Sequence, residues 1–288
     1  MRFRQRQQIQ VKTPDELVLM RKAGLVVART LEALREAVRP GISTRDLDEV
    51  AEATIRSENA VPSFLGYMGY PATICTSVNE IIVHGIPSPD VVLKDGDIIS
   101  IDCGAILGGW HGDSAVTLGV GEIDPADQAL LDATEASMWA GIAAATTQNR
   151  LSDISHAIEE SARASGSWGL IQEYTGHGIG TSMHMDPAVP NYGAPGHGPR
   201  LRSGMALAIE PMLTRGTRMN AELDDGWTVI TADGSRAAHF EHTIAITPDG
   251  PWVMTLLPGA PAQAGVKGGD HPMETTAAGT GPETSDAR

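Results

Sequence analysis

The sequence predicts an α+β fold made of two similar halves, and three observations carry the prediction. A phrase occurs twice, a hundred residues apart: His84-x2-Pro87, five residues, Leu93-x2-Gly96-x4-Ile101-Asp102, then His184-x2-Pro187, thirteen residues, Leu201-x2-Gly204-x4-Ile209-Glu210. A histidine, a proline, a Leu/Gly turn and an apolar run ending in a carboxylate recur in the same order, as expected of a duplicated unit. The texture alternates in step, a helical pair then strands, followed by a second helical pair then strands. With 41% hydrophobic residues over 288 positions and only 4% aromatics, the chain can bury a large, mainly aliphatic core. Two such halves are expected to pool their histidines and acids at the seam, with their sheets forming one curved antiparallel surface and the helices packed outside it.

The first helix starts at Thr13-Pro14-Asp15-Glu16, with Thr13 as cap, Pro14 at the first helical position and acids in the first turn. Apolar spacing through Leu17, Met20, Leu25, Ala28, Leu31, Leu34 and Val38 continues it to the Pro40-Gly41 stop. A second helix runs from Ser43/Thr44 to about Asn59, and strand and loop texture follows from Val61 to about Gly121. Pro125 opens an Ala-rich helix to about Thr147, Ser152 caps another to about Ala164, and strand texture returns up to Ile246. The division is therefore a basic arm at 1–12, a main unit at 13–257 with halves at about 13–122 and 123–257, and a tail at 258–288. That tail is Ala, Gly, Pro, Thr and Glu with almost no large apolar residue, so it is expected to stay disordered, and its His271 is discounted as a ligand.

Composition excludes several classes. No run of eighteen apolar residues exists, and the opening Met1-Arg2-Phe3-Arg4-Gln5-Arg6 leads into glutamines instead of an apolar stretch, so neither membrane span nor secretory signal is expected and a cytoplasmic protein follows. A formal charge of −15 repels phosphate backbones and argues against DNA or general nucleic-acid binding. Arg2, Arg4, Arg6 and Lys12 form a local basic exception, either a frayed terminus or an arm that meets ribosomal RNA transiently. Cys75 and Cys103 read as two reduced, buried thiols.

The chemistry begins at a hairpin. Ile98–Cys103 and Asp113–Leu118 flank Gly108-Gly109-Trp110-His111-Gly112, and a turn at Leu107-Gly108 or Gly108-Gly109 places Asp102 and Asp113 on one face, opposite or diagonal. Like charges so placed are destabilising unless a cation lies between them. Glu210 ends the apolar run 205–209, and Glu241 interrupts the apolar stretch 238–246, so both acids fall where side chains are buried. Burying four carboxylates without cations would cost several kcal/mol each or force them neutral. Oxygen-rich ligands with one or two imidazoles suit Mn, Fe(II), Co or Zn, and a shared carboxylate pair suits a dinuclear site.

His84-Gly85-Ile86-Pro87, Ile101-Asp102, His111-Gly112-Asp113, Gly176-His177-Gly178-Ile179-Gly180, His184-x2-Pro187, Ile209-Glu210-Pro211-Met212 and Glu241-His242-Thr243 resemble, in order and spacing, the motifs of type I methionine aminopeptidases, over roughly Thr13 to Met254. The resemblance implies the pseudo-two-fold pita-bread fold and removal of the initiator methionine from nascent chains when the second residue is small, by metal-hydroxide attack on the first peptide bond. It places two divalent ions on Asp102, Asp113, His177, Glu210 and Glu241. Glu210 would also shuttle the proton, while His84 and His184 would contact the scissile amide as catalytic, substrate-binding groups. Tyr67, Tyr70, Cys75, Tyr174 and Trp227, with Met183, match positions around the methionine side chain, and rings and sulfur suit a thioether.

The resemblance is to the short bacterial form, expected to act as a monomer on nascent N-termini. Met183 stands where an aromatic is frequent and Phe64 where a smaller residue is frequent. Of the other histidines, His111 has a case for a role beside Asp113, while His156, His197, His239 and His242 read as structural or exposed. Aminopeptidase P and prolidase share such a site, but the twelve residues before the first helix leave no room for their extra N-terminal domain. A non-catalytic relative would have lost ligands that are all present here.

Overall fold

Capping sets the helix starts. Thr13 accepts from the Glu16 N–H while Glu16 Oε2 accepts from the Thr13 N–H, and Ser43 and Asp46 repeat the arrangement. The computed structural model describes residues 9–260 together with Ala262 and Val266. In order the elements are α1 (Pro14–Ala37), α2 (Thr44–Ser57), β1 (Val61–Pro62), β2 (Ile74–Val78), β3 (Ile81–Val83), β4 (Ile98–Leu107) and β5 (Trp110–Gly119), then α3 (Pro125–Ala144), α4 (Leu151–Ser165), β6 (Gly169–Leu170), β7 (Gly176–Gly178) and β8 (Met185–Val189). They continue as β9 (Ala206–Ile209), β10 (Met212–Thr214), β11 (Asn220–Glu222), β12 (Val229–Thr231), β13 (Ala237–His239), β14 (His242–Thr247) and β15 (Gly250–Val253). The helix starts agree with the sequence reading except at α4. There the cap position is Arg150, whose N–H donates to Asp153 Oδ2, while the Ser152 hydroxyl accepts from the His197 N–H.

Every strand pair among the described residues is antiparallel. In the first half β4 lies between β2 and β5; in the second half β9 lies between β7 and β14. The two sets meet where β5 and the start of β14 exchange backbone bonds, Ala115 N–H to Glu241 O at 3.3 Å and Glu241 N–H to Ala115 O at 2.9 Å. The order β2-β4-β5 and β14-β9-β7 therefore reads alike from either end, which is the pseudo-two-fold relation expected from the repeated phrase. Short sheets β13-β10-β6 and β11-β12-β3 border this unit.

The core is aliphatic, with Leu34, Leu47, Ile55, Ile98, Ile101, Leu130, Ile154, Leu207, Ile209 and Ile244 fully enclosed. Close backbone approach holds α1 on β5: a Cβ at Gly112 would lie 2.8 Å from the Gly24 nitrogen.

Both ends of the chain pack further than expected. Ile9 packs on the main core and Lys12 is buried, so the basic arm cannot extend to residue 12. Ala260 borders a groove lined by α1, α3 and β5, and Val266 packs on the main core, so the tail is not free of the body from 258. His271 and Arg2, Arg4 and Arg6 lie outside the described residues. Cys75 and Cys103 are free and buried, as expected.

Candidate active site

The hairpin turn falls at Gly108-Gly109, both at positive φ of 59° and 83°, and pairs Leu107 with Trp110. Asp102 then pairs with Ala115, so Asp113, two residues earlier on β5, lies diagonally across on the same face. Across the seam Thr243 Oγ1 accepts from the Asp113 N–H at 3.0 Å and donates to the Asp113 carbonyl at 2.7 Å. Glu210 follows β9 and Glu241 precedes β14, so two carboxylates from within strands and two from strand ends reach the same volume.

His177 on β7 completes the set. Its Nδ1 donates to the Gly178 carbonyl at 3.0 Å, which leaves the Nε2 lone pair facing Glu210 Oε1 at 3.5 Å and Asp113 Oδ2 at 3.9 Å. Ligating atoms of Asp113, His177 and Glu241 lie within 4.8 Å of one another. Oδ1 of Asp102, Oδ1 of Asp113 and Oε1 of Glu241 are buried without a hydrogen-bond partner.

Electrostatics follow from this enclosure. Burial pushes the Asp102 carboxyl up to about 7. Burial first, and neighbouring carboxylates second, push Asp113, Glu210 and Glu241 well above the usual carboxylate range. Burial lowers His177 to about 3 and His84 to about 4, and lowers His184 as well, so all three imidazoles are neutral near pH 7. Among the described residues no lysine or arginine lines the cavity. Unpartnered acid oxygens around a neutral imidazole lone pair, with no side-chain cation, form a donor set that fits divalent metal ions.

The cavity, of about 260 Å³, is lined on its other side by Phe64, Tyr67, Met68, Tyr70, Cys75, Met183 and Trp227. Tyr70 donates to the carbonyls of Ile74 or Gly85, at 3.1 and 3.0 Å, and its ring meets Trp227 edge-on at 5.0 Å. Burial pushes the Cys75 thiol up, so it contributes as a neutral, apolar wall. The Tyr67 hydroxyl and His184 Nδ1 are 2.9 Å apart, and the His177 and His184 rings are 4.4 Å apart. His84 has a positive φ of 61°, rare outside glycine, and lies edge-on to Tyr174 at 5.6 Å and Trp227 at 6.3 Å.

The structure thus brings together every residue that the sequence reading put at the site, with one displacement. Tyr174 lines not the main cavity but a smaller neighbouring one of about 110 Å³, with Val83, His84, Asp102, Thr175, His184, Glu210, Met212 and His239. The sequence reading missed Met68, Thr175 and Met212, and of the two alternatives for His239, structural or exposed, the exposed one does not hold. It is buried, its Nε2 has no hydrogen-bond partner, and that atom lies 3.8 Å from Glu210 Oε2. Its i, i+2 spacing to Glu241 was the available signal. His111 faces Ser63, at 3.1 Å from its hydroxyl, and does not line the cavity. His242 is held by Thr255, at 2.9 Å, and by Ser114.

The profile of metallopeptidase family M24 matches residues 18–248. A curated relative named methionine aminopeptidase 1 from Mycobacterium tuberculosis is 56% identical over 260 residues, covering 88% of this chain and 98% of the relative. Another of that name from Bacillus subtilis is 53% identical over 246 residues, covering 85% and 98%. The crystal structure of methionine aminopeptidase from Thermotoga maritima superposes with a TM-score of 0.84 at 44% identity, covering 86% of this chain and 99% of that one.

Proposed function

This chain belongs to metallopeptidase family M24 and, within it, to the methionine aminopeptidases, and on that premise we propose how its residues divide the work. It is a metal-dependent peptidase that removes the N-terminal methionine of proteins. Asp102, Asp113, His177, Glu210 and Glu241 would hold two divalent ions, of Co, Mn, Fe(II) or Zn. The single observation that carries this reading is the convergence of four carboxylates, three with buried unpartnered oxygens, in a cavity that no lysine or arginine among the described residues lines. When bound, the ions supply Lewis acidity, which makes a water nucleophilic near neutral pH and polarises the scissile carbonyl.

The remaining work falls to the chain. The methionine side chain enters between Tyr67, Tyr70, Cys75, Met183 and Trp227, where sulfur meets ring edges. Glu210 borders both cavities, so its carboxylate can take a proton on one side of the scissile bond and deliver it to the leaving amine on the other. With the Tyr67 hydroxyl donating to His184 Nδ1, the Nε2 proton of His184 remains free for the carbonyl oxygen as negative charge grows there. His84 borders both cavities too and holds the amide between them. The smaller cavity, walled by Tyr174, Met212 and His239, has room for the small side chain of a second residue.

The substrate is a nascent polypeptide N-terminus and the working form a monomer. No helix among the described residues is long and apolar enough to cross a membrane, and we assign the protein to the cytoplasm. Contact of the arm before Ile9 with the ribosome is part of the same reading.

The test is release of the first residue from Met-Ala-Ser, Met-Lys-Ser and Ala-Pro-Ala peptides, with and without chelator. Methionine release from the first peptide only, abolished by chelator and restored by Co, Mn or Fe(II), is the expected result. Equal turnover of Met-Ala-Ser and Met-Lys-Ser would overturn the pocket assignment, and full activity in chelator would overturn the metal assignment.

A further inference from the structure

His177 and His184 are joined by a segment without regular structure from 179 to 184. The β7–β8 pairing of Gly178 with Met185 closes the ends of this segment, while its irregular residues retain freedom that a strand would remove, so ties along it help to set the two rings, which lie 4.4 Å apart. Ile179 and Met183 are buried in the body, and backbone bonds add to this. The Ile179 N–H donates to Ala206 O at 3.2 Å, and the His111 N–H donates to Gly180 O at 2.9 Å.

Besides the Tyr67 hydroxyl on His184 Nδ1, side-chain ties come from a distant part of the chain, the short stretch before α1. Lys12 Nζ donates to the Ile179 carbonyl at 2.5 Å. Gln10 clasps the next exposed residue in both directions: its Nε2 donates to Thr181 Oγ1 at 3.0 Å, and its Oε1 accepts from the Thr181 N–H at 3.3 Å. The stretch is itself anchored, since the Lys12 N–H donates to Gly204 O at 2.7 Å. Contact is close enough that a Cβ at Gly180 would strike the Gln10 amide oxygen and the end of the Lys12 side chain. Lys12 is buried and its ammonium lies against backbone carbonyls, and burial lowers it to about 8. Burying an ammonium is costly, and an apolar residue would pack there without that cost.

We propose that Gln10 and Lys12 are positioning residues, which strap the 179–184 segment to the body and so set His184 against His177 and the substrate carbonyl. The inference rests on the functional reading given above, because it needs His184 to act on substrate. Neither residue touches the cavity, so their effect passes through the segment and should be larger on turnover than on binding.

The experiment compares Gln10→Ala, Gln10→Glu, Lys12→Met, Thr181→Ala and the Gln10→Ala/Thr181→Ala pair, using Met-Ala-Ser turnover, metal content, Tm and hydrogen exchange across residues 178–184. Gln10→Ala and Lys12→Met should lower kcat about tenfold with KM within about twofold, metal content and Tm near parental, and faster exchange in the segment. Gln10→Glu keeps an acceptor for the Thr181 amide and hydroxyl and should restore turnover. The pair should be no slower than Gln10→Ala alone, because both changes break one clasp. Unchanged kcat in both Gln10→Ala and Lys12→Met would overturn the proposal, as would a fall in kcat that tracks lost metal or lost Tm. If the parent released no methionine the functional reading would fail, and segment exchange would still decide whether the strap holds.

Discussion

The two halves place their carboxylates alike and hold them differently. Asp102 and Asp113 lie inside strands of ten residues each, β4 and β5, joined by a two-glycine turn. Glu210 and Glu241 fall in breaks between short strands, Glu210 between β9 and β10 and Glu241 between β13 and β14. The first pair is fixed by an uninterrupted ladder from Ile98 to Gly119. In the second, Glu210 is held within its own half, where its carbonyl accepts from Asn191 Nδ2, whereas Glu241 sits at the seam, trading backbone bonds with Ala115 while Thr243 brackets Asp113. One half thus presents a preformed acidic face, and the other is fastened onto it. The centre is complete only when the halves are joined.

The largest effect should come from ligand removal, and it tests whether the halves make one centre. Asp102→Ala and Glu241→Ala should both strip metal and abolish turnover, since each removes charge that the ions need. Full metal content in the Glu241 variant, measured as metal per protein, would mean that the hairpin binds ions alone.

Next in size are the histidines of the repeated phrase, one from each half. His84→Ala and His184→Ala should keep metal near the parental ratio and lower kcat by about 10²- to 10³-fold, roughly 2.7 to 4 kcal/mol of transition-state stabilisation. A His184 variant that lost metal while Asp102→Ala kept it would reverse the assigned roles.

A smaller effect concerns stability without metal. The buried histidines have folded-state values below their unfolded ones, so their contribution rises with pH and is complete by about 6.5. The four carboxyls have raised folded-state values, so theirs is present at low pH and is lost as pH climbs through about 7 for Asp102 and higher for the others. Above pH 6.5 only the loss remains. The Tm of metal-free protein should therefore fall between pH 6.5 and 8 while metal-loaded protein changes less. A flat metal-free profile over that range would contradict the buried acidic centre.

The smallest expected change is at the seam itself. Thr243→Val keeps shape but removes the hydroxyl that both accepts from and donates to Asp113, leaving buried backbone groups unpaired at about 1–3 kcal/mol. Urea unfolding should show that loss, and an unchanged midpoint would mean that the seam is held elsewhere.

Much of this was legible in the linear chain because its signals are local or periodic. Thr13 and Ser43 announce their helices by capping chemistry within four residues, and the glycine pair at 108–109 with strand alternation puts Asp102 and Asp113 on one face whatever surrounds them. The duplicated phrase pairs His84 with His184 and Asp102 with Glu210 by order alone. What tertiary structure decided are the relations between segments far apart in sequence. Residues 9–12 look like part of a basic terminus, yet Lys12 is buried 167 residues away against Ile179, and Val266 finds the core from within a Gly/Ala-rich tail. His239 looks like a strand histidine until β13 turns its ring toward Glu210, and Tyr174 serves the smaller cavity because β3, β10 and the approach to β7 converge there. Local chemistry is written in neighbouring residues, whereas burial, and with it every shifted proton affinity in this centre, depends on which distant surfaces exclude water.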